Sequence, residues 1–93
     1  MKTQAFASVW DAIEDTPEEA ANMRVRSDLL MLIERVVKDH GWSQAEAAKA
    51  LGLTQPRVSE LLRGRVDLFS IDKLVTILAA AGQRVEVRAL AAA

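Results

Sequence analysis

The sequence predicts an all-α domain of about five helices followed by one C-terminal β-strand. Three observations carry this. Ala and Leu, both strong helix formers, dominate a composition that is 51% hydrophobic. Hydroxyl residues recur where apolar-periodic stretches begin, and glycines recur where they end. The one strictly alternating segment, Gln83 to Arg88, comes last. At 93 residues the chain is a single domain with a modest core. Its apolar content is too high for a disordered chain, which could not offset the entropy of ordering.

Taken in order, "AFASVWDAI" places Phe6, Val9, Trp10 and Ile13 at helical spacing, with Asp11, Glu14 and Asp15 acidic beside them. Thr16-Pro17-Glu18-Glu19 is then a helix start: Thr16 caps, Pro17 suits the first helical position and Glu19 sits where a capping box needs it. That helix should run to about Asp39 and stop at Gly41. Met23, Leu30, Ile33 and Val37 form its apolar face, Leu29, Leu32 and Val36 widen it, and Met31 reads as core. Ser43 and Glu46 frame a second capping box, with Trp42 placed to staple against Ala47, and the short helix ends at Leu51-Gly52. Leu53-Thr54 restarts the same device for a helix ending at Arg63-Gly64, and Pro56 in its first turn costs no intrahelical hydrogen bond. Asp67 to Ser70 reads as a linker. Ser70 caps a last helix to Ala81, closed by Gly82. The expected organisation is an acidic N-terminal segment over 1–20, a helical domain over 21–82 with a tight helix pair at 43–64, and a strand and tail over 83–93.

Several chemistries are not indicated. There is no cysteine, hence no disulfide framework and no thiolate metal site. The only histidine, His40, stands at a helix C-terminus, where the dipole favours a cation, and has no second His or Cys beside it. No glycine-rich phosphate loop appears, and Glu18 and Glu19 are adjacent, so they point apart on a helix. The expectation is a protein that is not an enzyme and uses no metal or cofactor. No apolar run approaches a membrane span and no signal peptide opens the chain, so a cytoplasmic location with no membrane partner is expected.

The net charge of −1 does not itself suggest a polyanion, but its distribution is uneven. Residues 1–40 carry five Lys/Arg against eight Asp/Glu, whereas residues 41–65 carry Lys49, Arg57, Arg63 and Arg65 against Glu46 and Glu60. The basic segment is "WSQAEAAKALGLTQPRVSELLRGR", two short helices joined by a Gly-containing turn, which is the helix-turn-helix signature. Ala47 and Ala48 keep the first helix thin, and Leu51, Leu53, Val58, Leu61 and Leu62 fill the space between the two. Gln44, Thr54, Gln55, Arg57, Ser59, Glu60, Arg63 and Arg65 remain as the candidate DNA-binding residues. In such folds the N-terminal part of the second helix enters the major groove, where Gln suits adenine and Arg suits guanine. Gln55 and Arg57 lie there. Gln44 opens the first helix, where N–H groups can hold a phosphate, while Arg63 and Arg65 are placed for the backbone. Glu60 is unusual on such a face: it could accept from a cytosine amine, orient Arg57 or Arg63, or point to solvent.

"SQAEAAKALGLTQPRVSELLRGR" resembles the Xre/Cro-type helix-turn-helix, whose usual pattern is S/T-Q-x-x-x-A-x-x-L-G-L/V-x-Q-x-x-V-S-x-L-x-R-G, and meets nearly every position of it. The flanking "AANMRVRSDLLMLI" and "RVDLFSIDKLVTILAAAGQRVEV" are similar to a subgroup with HigA-like antitoxins, so the likeness covers about residues 20 to 88. The resemblance implies a lambda-repressor-like domain that binds a double-stranded DNA operator as a homodimer and represses transcription. Within it Gln44 would contact phosphate, Gln55 would read a base, and Arg57 and Ser59 would face the groove. It also implies a type II toxin–antitoxin module whose basic RelE/HigB-type ribonuclease toxin the protein neutralises; the alternative is a stand-alone or phage-type regulator with no toxin.

Two segments are expected to meet protein partners. A lone strand leaves its backbone unpaired, so Arg84 to Arg88 should pair with the same strand of a second copy; the alternative is a short extended tail lying on its own domain. Val85 and Val87 would mediate that dimerisation, packing inward near Leu74 and Leu78. At the other end, Phe6 and Trp10 with Asp11 and Glu14 form an aromatic anchor with acidic neighbours, suited to a basic toxin; the alternative folds the segment back on the domain as an extra helix.

Overall fold

In the computed structural model of the chain, which describes residues 16–91, four α-helices and one 3-10 turn follow one another. They are α1 (Pro17–His40), α2 (Gln44–Leu51), α3 (Gln55–Leu62), the 3-10 turn Val66–Leu68 and α4 (Ile71–Ala80). Each α-helix begins on a hydroxyl cap. The side chains of Thr16, Ser43, Thr54 and Ser70 accept from the N–H groups of Glu19, Glu46, Arg57 and Lys73 at 3.1 to 3.3 Å. At Ser43 the box is reciprocal, since the Ser43 N–H donates to Glu46 Oε1 at 2.8 Å. Each such cap stabilises its helix by about 1 kcal/mol. Gly41 and Gly52 end α1 and α2 at φ 66° and 71°, a region an L side chain enters only with strain.

The long α1 packs along α4, with α2 and α3 packed on each other beside them. Ile33 of α1, Val58 and Leu61 of α3 and Leu74, Ile77 and Leu78 of α4 meet at the centre. Ala47 and Ala48 are both buried, so the inner side of α2 is thin where α3 crosses it. Burial of each large aliphatic side chain contributes about 1.5–3 kcal/mol, so this centre dominates the stability of a small domain.

Four sequence expectations change. The stretch read as a linker is the 3-10 turn, and it sends Val66 and Phe69 into the core, with Phe69 only 1% exposed. On α1, Met31 and Leu32 are exposed at 57% and 47%, because Leu29, Leu30, Ile33, Val36 and Val37 already cover the available core surface. Residues 83–91 form no strand: the single chain offers no neighbouring edge to pair with, and a strand exists only as part of a ladder. Val85 is half-buried against the core, whereas Val87 is 90% exposed and does not pack inward. The expected N-terminal helix through Phe6 and Trp10 lies outside the described residues, which leaves four α-helices within them.

Candidate nucleic-acid interface

The turn joining α2 to α3 is three residues long. Gly52 adopts the left-handed conformation, Leu53 donates its N–H to the Ala48 carbonyl at 2.9 Å, and Thr54 caps α3. Leu53 packs on the core, so the direction of α3 is set by buried contacts at both ends of the turn. Gln44 and Gln55 each occupy the first helical position after a hydroxyl cap, and both are exposed. The two glutamines therefore stand beside helix N-terminal N–H groups, which attract anions.

Along α3, Gln55, Ser59 and Arg63 are spaced by four and follow one stripe, turned away from the fully buried Val58 and Leu61. Arg57 is not on that stripe. It lies two residues from both Gln55 and Ser59, a spacing that does not share a helix face. Its guanidinium is folded onto the domain: Nη1 donates to Glu60 Oε1 at 2.8 Å, and Cζ sits 4.9 Å from the centroid of the Phe69 ring. Of the three roles open to Glu60, the structure places its carboxylate against Arg57.

Thr54 uses its hydroxyl as the cap of α3, accepting from the Arg57 N–H. Arg63 is exposed and, among the described residues, has no ion-pair partner. Arg65 points both Nε and Nη2 at Asp67, at 3.3 and 3.4 Å. That hydrogen bond, with the attraction between the two charges, raises the Arg65 pKa and holds the Asp67 carboxyl below its ordinary range. At the end of α1, His40 donates from Nδ1 to the Val36 carbonyl at 2.9 Å and stacks on Trp42 at 4.3 Å. One edge and one face of the ring are thus engaged structurally. Among the described residues no group of His, Cys, Asp or Glu is arranged to hold a metal, and no helix is long and apolar enough to cross a membrane.

Sequence reasoning missed two residues that shape this surface, Phe69 and Asp67. Val66 and Phe69 are spaced by three, as on one buried helical turn, which is the signal that could have found Phe69. The expected toxin-contacting residues Phe6, Trp10, Asp11 and Glu14 lie outside the described residues.

Two helices, a short glycine turn and a polar outward stripe on the second helix define a helix-turn-helix protein. The profile of a family described as a helix-turn-helix domain matches residues 12–90. A solved structure assigned to the XRE family of transcriptional regulators is similar at 32% identity and a TM-score of 0.74, over 80% of this chain and 83% of that one. No curated protein matches the chain. The chain belongs to the XRE family of helix-turn-helix transcriptional regulators.

Proposed function

We propose that the protein is a sequence-specific DNA-binding repressor that lays the start of α3 into the major groove of its operator. The outward stripe of exposed Gln55 and Arg63 with half-buried Ser59 between them, carried on a helix whose other side is fixed in the core, is the observation behind this reading. Gln55 reads a base, and Arg57 presents its remaining donors to a second one. Gln44 at the start of α2 holds a phosphate, and Arg63 and Arg65 reach the backbone beyond. The protein acts as a homodimer whose segments around Val85 and Val87 pair across a two-fold axis. That pairing would supply the neighbouring edge which the single chain lacks, and two copies double the phosphate contacts of a weakly charged protein.

The proposed setting is a type II toxin–antitoxin operon, in which the protein represses its own promoter and neutralises a basic RelE/HigB-type ribonuclease. The acidic, aromatic segment 1–20 supports this, together with the resemblance to HigA-like antitoxins. Titration of the DNA upstream of its own reading frame, at several salt concentrations, tests the repressor reading. Binding must weaken steeply with salt and exceed that to a scrambled duplex. Deleting residues 1–20 tests the antitoxin reading: neutralisation should vanish while operator binding survives. Loss of both would mark the segment as structural, and survival of both would leave a regulator without a toxin.

A further inference from the structure

Arg57 is held by two elements at once. Glu60, one turn further along α3, accepts from its Nη1, and Phe69, anchored in the core after the 3-10 turn, lies beneath its guanidinium. Arg57 and Glu60 side chains retain 43% and 29% of their exposure, so the pair is at the surface and accessible. An unrestrained arginine would sweep the surface and attract any phosphate. Here a carboxylate neutralises that attraction, while a buried ring fixes the plane of the fork.

We propose that Glu60 is a positioning residue that makes Arg57 a base reader rather than a phosphate binder. The proposal rests on α3 being the recognition helix. A guanidinium has more N–H donors than Glu60 uses, so a bidentate contact to a guanine edge remains available. Because the fork is ordered before DNA arrives, less rotamer freedom is lost when that contact forms. The carboxylate itself is repelled by phosphates, which lowers binding to arbitrary sequence. Glu60 thus raises discrimination at one base while reducing non-specific affinity.

The test compares wild type with Glu60→Gln, which keeps the shape and an acceptor oxygen but removes the charge. Both proteins are used to select from a duplex pool randomised across the bound site, and both are titrated with a scrambled duplex. Glu60→Gln should bind the scrambled duplex several-fold more tightly. It should also lose roughly three- to tenfold of its preference at a single base position, since a charge-assisted hydrogen bond is about twice as strong as a neutral one. Phe69→Leu, which keeps the site apolar, should soften preference at that same position without the gain on scrambled DNA. Nitrogen relaxation at Arg57 Nε in the free protein should show a rigid group in wild type and a mobile one in Glu60→Gln. Unchanged preference at every position, or an equal loss at all of them, would overturn the role of Glu60. If wild type itself selected no site, the recognition-helix reading would fail first and the proposal with it.

Discussion

Arg65 and Asp67, two positions apart at the end of the helix pair, face each other with both side chains about half exposed. The pair therefore competes directly with any phosphate that approaches Arg65. Asp67→Asn should release the guanidinium, tighten DNA binding at low salt and steepen the salt dependence by about one unit; the slope of log affinity against log salt reads this. The pH dependence follows from the lowered Asp67 pKa. A carboxyl depressed in the folded state contributes stability above its unfolded value, and that contribution fades as pH falls through the lower folded value. Any loss from this pair is thus confined to pH below the ordinary carboxylate value of 3.8, and solvent screening keeps it small. Wild type should be slightly more stable than Asp67→Asn above that value, and acid unfolding should show the difference fading below it. At Arg57, replacement by Ala should cost roughly 1–3 kcal/mol of operator affinity and relax one base position. Equal affinity of that mutant and wild type for the operator would remove Arg57 from the readout.

At the scale of elements, the helix starts are local devices, and their removal should be felt locally. Ser43→Ala takes away the hydroxyl half of the box at α2, while the backbone N–H at position 43 still donates to Glu46, and should cost about 1 kcal/mol, measurable by thermal unfolding. Gly52→Ala meets no neighbouring atom within 4 Å, so its whole penalty is backbone strain, about 1–2 kcal/mol for a left-handed L-residue. The four described helices were legible because their caps and glycines act within a turn of where they stand: Thr16, Ser43, Thr54 and Ser70 all cap as their positions indicate. What was not legible depended on distant partners. Phe69 stands among Asp67, Leu68 and Ser70, and the core shared by the helices takes it inward. Met31 and Leu32 are apolar by composition but point out, since Leu29, Leu30, Ile33, Val36 and Val37 already fill the core-facing side of α1. Glu60 had three readings until Arg57 was placed, and the strand needed an edge that one chain does not contain. The outward positions of Gln55 and Arg63 could be read from spacing, whereas the deflection of Arg57 onto Phe69 could not.

For the molecule as a whole, the C-terminal segment is where the single domain is least self-sufficient. A groove of about 650 Å³ runs between α1, α4 and residues 83–88, bordered by Val25, Leu32, Val75 and Val85. Val87 and Leu90 are exposed on the segment itself. The proposed dimer would cover this apolar surface, so Val85→Lys combined with Val87→Lys should shift sedimentation from dimer to monomer. Operator affinity should fall with it, because each half-site would then be bound alone. A wild-type chain that sediments as a monomer at all concentrations would remove the dimer from the mechanism.

The alanine seam of α2 has a consequence for retargeting. Ala47 and Ala48 fix how closely α3 lies, while Val58 and Leu61, with Leu62 beside them, anchor α3 from beneath. Gln55, Ser59 and Arg63 take no part in that anchoring. The outward residues of α3 can therefore be exchanged as a set, with the scaffold unaltered, to graft a new base preference onto the same domain.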